Sequence, residues 1–138
     1  MSDLKQTKII RKINRETKEG SIVWEVNGSK PSSLSGSEYL VDNVYTSKVH
    51  DKWVRLYKFQ KKYYYVESDY EWTDEYRLEF IDLWGKSEWA FPDDAAIPDL
   101  YETVRYKTSK IETFMDEYLD KEEKKEEEHG DDVSDLPF

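Results

Sequence analysis

The chain changes its hydrophobic period several times, and each change marks an element. Ile9, Ile10 and Ile13 recur at helical spacing within a polar, basic stretch, which predicts a helix over residues 3–18. Ser2 is placed to cap that helix and Gly20 to end it. Over residues 21–27 the period becomes two: Ile22, Trp24 and Val26 alternate with less apolar positions, as on one face of a strand. Residues 27–36, rich in Ser, Gly and Pro, predict a loop. A second strand over 38–46 sets Tyr39, Val41 and Tyr45 on one side. A third over 52–59 sets Trp53, Arg55, Tyr57 and Phe59 against Val54, Leu56 and Lys58. Residues 60–62 read as a turn or bulge, and 63–67 as strand again. Residues 75–83 alternate Tyr76, Leu78 and Phe80 with Arg77, Glu79 and Ile81.

Trp84-Gly85 opens a loop, and Asp93-Asp94 precede a long helical stripe. Ile97, Leu100, Tyr101, Val104, Thr108, Ile111, Met115, Tyr118 and Leu119 share its apolar face. Pro98 sits near its start, where a missing amide is tolerated. Residues 121–128 contain no apolar side chain and either prolong the helix into solvent or fray; beyond Gly130 disorder is expected. Successive strands with short connections favour an antiparallel meander. The expected fold class is α+β: a meander of four to five strands, an N-terminal helix and a long C-terminal helix over residues 1–120, then a flexible acidic tail over 121–138. A divergent oligonucleotide-binding (OB-like) barrel is the alternative, because five short strands can be counted.

Charge separates these two parts. The formal net charge is −10. Residues 117–138 hold ten acidic residues and three lysines, or −7, which leaves −3 for a nearly balanced body. Lys5, Lys8, Arg11, Lys12, Arg15 and Lys18 form a basic segment at the other end. With no cysteine, disulfides and thiolate metal sites are excluded, as expected of a reducing compartment. No apolar run reaches membrane-spanning length and the N-terminus lacks an apolar signal core, so a cytoplasmic protein is expected.

Residues able to form a catalytic constellation are few. The two histidines are His50, in a predicted turn, and His129, in the acidic tail, and they do not form a metal-binding pair. Neither a nucleophile elbow nor a Gly-rich phosphate loop is present. Glu67, Asp69, Glu71, Asp74 and Glu75 make an acidic run without the glycine of a calcium loop. The expectation is a protein with no enzymatic activity, cofactor or metal.

Binding is the better-supported class. Eleven Tyr and five Trp give many rings to bury or to present. Between Trp53 and Tyr65, rings interleave with basic residues. Lys52, Trp53, Arg55, Tyr57, Lys58, Lys61, Lys62 and Tyr64 are the candidate single-stranded nucleic-acid contacts: rings stack on bases and cations neutralise phosphates. Alternation assigns about half of these rings to a core. Tyr63, Tyr64 and Tyr65 are adjacent, so at least one faces away from it unless both sheet faces are covered.

The strongest motif is Asp131-Asp132-Val133-Ser134-Asp135-Leu136-Pro137-Phe138. It resembles the C-terminal tip of bacterial single-stranded DNA-binding proteins, an acidic stretch closing on Pro-Phe. In that family the tip is a docking peptide for replication, recombination and repair proteins. The resemblance covers about eight residues. It implies that Phe138 enters an apolar pocket, that its carboxylate meets a basic residue, and that Asp131, Asp132 and Asp135 face a basic rim, with Leu136 and Pro137 alongside. The body does not share that family's opening strand or barrel motifs. Gly20, Ile22 and Trp24, with Leu100, Tyr101, Val104 and Arg105, resemble a loose pattern in small bacterial and phage proteins of unassigned function.

Three functions follow as expectations. The first is an accessory protein of DNA replication, recombination or repair that docks through the tip, for which a phage or mobile-element origin is suited. The second is a single-stranded DNA-binding protein using the 53–65 stretch. The third is a small protein–protein inhibitor module with an incidental tail.

Overall fold

The structure is a computed structural model that describes residues 2–128, with side chains described from 4 to 122. The chain divides at Thr108 into two units. The first contains helix α1 (Ser2–Glu19), strands β1 (Glu25–Asn27), β2 (Glu38–Val49), β3 (Lys52–Tyr64), β4 (Tyr70–Ile81) and β5 (Ser87–Ala90), and helix α2 (Ala96–Thr108). The second contains helix α3 (Ile111–Glu128). No helix among the described residues is long and apolar enough to cross a membrane.

The α+β class and the antiparallel meander are as expected. The five strands lie in the order β1-β2-β3-β4-β5, every neighbour antiparallel. The sheet is open: β1 and β5 are its two edges and do not pair with each other. That rules out the barrel alternative, because closure requires paired edges.

The sequence pattern of β3 explains the layering. Val54, Leu56 and Tyr57 are all buried, as is Arg55 between them, so both faces of the central strand are covered. On one face α1 and α2 pack. Ile10, Ile13, Tyr45, Val54, Leu56, Leu78, Ile97, Leu100, Tyr101 and Val104 form the main core there. On the other face the loop after β1 covers Val44, Tyr57 and Phe59, with Leu34 and Leu40 against them.

Several boundaries differ from the sequence expectation. The segment at 60–62 is not a turn, since β3 runs unbroken through Gln60, Lys61 and Lys62, each paired on β4. The irregularity lies in β2, between Val41 and Val44, where Asp42 adopts a left-handed φ of 67° and its carboxylate accepts from the Asn43 amide. β4 begins at Tyr70 rather than 75, and β5 occupies a stretch whose local pattern predicts loop. Residues 21–24 precede the first strand. There, Gly20 (φ 86°) ends α1 with the Gly20 amide donating to the Thr17 carbonyl and the Ser21 amide to Glu16, a left-handed cap that reverses the chain. Ile22 and Trp24 are thereby buried in the main core, while Val26 remains exposed.

The predicted long helix is two. Lys110 (φ 59°) breaks it after Thr108, whose hydroxyl bonds back to the Val104 and Arg105 carbonyls. Such back-bonding weakens helix continuation. Within α3, Ile111, Phe114, Met115, Tyr118 and Leu119 recur at helical spacing, and the Phe114 and Tyr118 rings stack with centroids 5.8 Å apart. The helix continues through residues 121–128.

One core position carries an uncompensated polar atom. Tyr101 packs edge-on against Tyr45 and Tyr76, yet its buried hydroxyl has no hydrogen-bond partner among the described residues. Burial, reinforced by Tyr45, pushes this phenol far above its ordinary range. Tyr101→Phe removes the desolvated hydroxyl while keeping the ring. It should leave stability unchanged or raise it by about 1 kcal/mol, read as an upward shift of the denaturant midpoint.

Candidate functional site

Alternation along β3 splits the predicted nucleic-acid residues between the two sheet faces. Trp53, Arg55, Tyr57 and Lys61 point away from the helices; Lys58, Lys62 and Tyr64 share the helix-side face. They therefore do not form one surface.

Two of them are structural. The Arg55 side chain is 7% exposed and pairs with the wholly buried Glu79. Tyr57 is 0% exposed; its hydroxyl shares a hydrogen bond with Ser33 Oγ (2.7 Å) and accepts from Arg77 Nη1 (2.9 Å). A base has no access to either, so both leave the candidate set. Arg77 also donates to Glu38 (3.0 Å) and lies 4.4 Å above the Phe59 ring. Burial works to raise the Glu38 carboxyl, but the Ser35 amide and Arg77 outweigh it and hold the group below its ordinary value. The same burial raises the Tyr57 phenol. This network pins the covering loop to the sheet.

The others are placed as follows. Lys52 is exposed and pairs with Glu88 at 3.3 Å. Trp53 is half-buried and lines a trough on the loop-covered face. Lys61 is half-buried, and its carbonyl accepts from the Thr73 hydroxyl. Lys58 is held by Asp74 at 3.6 Å and lies 5.6 Å from the Tyr76 ring.

Lys62 and Tyr64 belong to a different assembly. Where β2, β3 and β4 extend along the helix-side face, Gln60 stands opposite Tyr39, Lys62 opposite Trp72 and Tyr64 opposite Tyr70. Cross-strand register thus gathers four rings. Tyr39 meets Trp72 at 5.3 Å, Tyr70 meets Trp72 at 5.9 Å, and Tyr64 meets Tyr70 at 5.5 Å. The Lys62 ammonium sits 4.7 Å from the Tyr70 centroid and 5.4 Å from that of Trp72. All four rings are exposed, Trp72 at 45%. Cross-strand ring pairs stabilise a hairpin by themselves; here they also present a continuous aromatic surface.

Tyr39, Tyr70 and Trp72 are absent from the sequence-derived set. Tyr70 and Trp72 lie in a stretch whose composition predicts an acidic loop, and their position opposite Lys62 and Tyr64 depends on register, which a single strand's alternation does not contain. Cationic support around the rings is thin, because Lys58 faces Asp74 and Lys62 lies over the rings, while Glu67 and Asp69 occupy the adjoining turn. Among the described residues no group of three or more His, Asp or Glu is arranged to hold a metal ion. The docking residues Asp131, Asp132, Asp135, Leu136, Pro137 and Phe138 lie outside the described residues. Compared with known protein families, curated proteins and solved structures, the chain has no match.

Proposed function

We propose that the protein is an accessory factor of DNA replication, recombination or repair, acting by binding rather than catalysis, whose acidic Asp131–Phe138 segment docks on partner proteins. The observation that carries this reading is the segment's chemistry. Three aspartates precede Leu136-Pro137-Phe138, a combination suited to a basic-rimmed apolar pocket. The acids speed encounter with the rim, and the phenylalanine ring supplies the anchor. Removing Phe138 alone should abolish capture of replication and repair helicases or nucleases while leaving the circular dichroism spectrum unchanged. Undiminished capture of those proteins would refute the reading.

A second reading concerns the body. The exposed Tyr39, Tyr64, Tyr70 and Trp72 rings favour single-stranded DNA as a ligand, since every base has a face to stack. Stacking, not charge, would carry the affinity. With Lys62 and Lys58 as the nearest cations, about two phosphates are neutralised, and the slope of log K against log salt should be only about −1.4. Trp72→Ala should weaken oligo-dT binding by roughly tenfold or more, read by tryptophan quenching. Absence of quenching by oligo-dT in the full chain and in a chain truncated after Lys121 would exclude this reading.

A further inference from the structure

The helix that begins the chain carries charge that neither the acidic segment nor the aromatic surface accounts for. Thr7 of α1 donates to Asp94, whose other carboxylate oxygen caps α2 through the Ala96 amide. Ile10, Ile13 and Thr17 are buried, and the Trp24 indole closes on Thr17. One face of α1 is thus fixed against the fold, and the opposite face is held out to solvent.

That outer face is basic. Lys5, Lys8, Arg11, Lys12, Arg15 and Lys18 are all exposed. At 3.6 residues per turn they fall within an arc of about 140° and extend about 20 Å along the axis. Lys12 pairs with Glu16 at 3.8 Å, and Arg11 lies within electrostatic reach of Asp94. Lys5, Lys8, Arg15 and Lys18 have no ion-pair partner among the described residues. Glu19 is the one acid inside the arc. Lys8 and Lys12, and Arg11 and Arg15, are like charges four residues apart, which weakens a helix unless an anion lies against them.

The chemistry of the face selects among polyanions. α1 contains no aromatic residue, so it offers a single strand no ring to stack on. Its apolar side, Ile10 and Ile13, is committed to the core and cannot enter a lipid layer. A protein partner is anchored by a desolvated apolar or aromatic centre. Here Leu4 and Ile9 are the exposed aliphatics of α1, and Ile9 lies outside the arc. Gln6 and Asn14, the amides able to read base edges, are half-buried, and Asn14 Oδ1 is enclosed. What remains is a straight row of cations about 20 Å long, over half of a duplex turn of about 34 Å, suited to phosphates and indifferent to sequence. The net charge of −10 opposes this only at short range, because at physiological salt repulsion between exposed charges fades beyond about 8 Å.

We propose that the exposed face of α1 binds the phosphate backbone of duplex DNA without regard to sequence. This contact is separate from docking through Phe138 and from stacking on Trp72, and it depends on neither.

Fluorescence anisotropy of a labelled mixed-sequence duplex, titrated with the full chain between about 20 and 200 mM salt, tests it. With Lys5, Lys8, Arg15 and Lys18 each neutralising one phosphate, log K should fall against log salt with a slope of about −3.6. Lys8→Gln/Arg15→Gln should weaken binding at least roughly tenfold at low salt and reduce the slope to about −1.8. Its circular dichroism spectrum should be unchanged, because both side chains stand in solvent. Lys30→Glu changes the net charge by the same amount on the loop-covered face and should leave duplex affinity within about twofold. Trp72→Ala should also leave it unaltered. No binding of the duplex at about 20 mM salt, binding that Lys8→Gln/Arg15→Gln does not weaken, or a preference for phosphatidylserine vesicles over the duplex overturns the proposal.

Discussion

Arg55→Met should cost about 3–5 kcal/mol of folding stability, the expected loss when one partner of a buried ion pair is removed. Arg55 Nε and Nη2 both donate to Glu79 Oε2, at 2.7 and 2.5 Å, and Ser33 Oγ adds a third bond at 3.1 Å. Glu79 is fully buried, and its other carboxylate oxygen has no partner among the described residues. Without the guanidinium a buried carboxylate is left with one hydroxyl donor and its desolvation uncompensated. The turn joining β4 to β5 also loses its anchor, because Arg55 Nη1 holds the Gly85 carbonyl. The double variant Arg55→Met/Glu79→Leu should recover most of the loss, since a packed apolar pair carries no desolvation penalty. Urea midpoints of the two variants decide this. Equal destabilisation would mean that packing, not charge, dominates the site.

The second large effect is expected at Trp24. Its indole is 6% exposed, packed into the main core beside Ile10 and Ile13, and its Nε1 donates to Thr17 Oγ1 at 3.0 Å. Thr17 in turn donates to the Ile13 carbonyl at 2.7 Å. One side chain thus closes the core and locks the segment after Gly20 to α1. Trp24→Ala should cost about 3–5 kcal/mol through the cavity it leaves. Trp24→Phe keeps much of the volume, and Thr17 keeps its own acceptor. The cost there should fall to about 1–2 kcal/mol, the lost hydrogen bond plus a small void. Chemical denaturation of both variants separates the two contributions.

Alternation along the strands is enough to assign the two faces of the sheet: Val54 and Leu56 against Arg55 and Tyr57, and Leu78 against Arg77 and Glu79, fall as expected. Local pattern fails where tertiary pairing decides. Trp89 is a strand residue because it lies opposite Phe80, and nothing within residues 87–90 requires that. The helical stripe of 97–119 continues in phase across Ser109-Lys110, so periodicity does not register the break that Thr108 back-bonding and a left-handed Lys110 introduce. The binding residues divide in the same way. Lys62 and Tyr64 are legible as ring and cation on one strand, whereas Tyr39, Tyr70 and Trp72 join them only through register. Arg55 and Tyr57 resemble ligand contacts in the sequence because composition does not reveal that a Ser- and Pro-containing loop covers them.

Displacement of a fluorescent peptide tests the central proposal most directly. The peptide carries the acidic tip of a bacterial single-stranded DNA-binding protein and is bound to a repair protein that reads such tips. The full chain should displace it. A chain in which Phe138 is replaced by Ala should do so at least roughly thirtyfold less well, because the aromatic anchor is gone. Equal displacement by both chains, or none by the full chain, would contradict docking through Leu136-Pro137-Phe138.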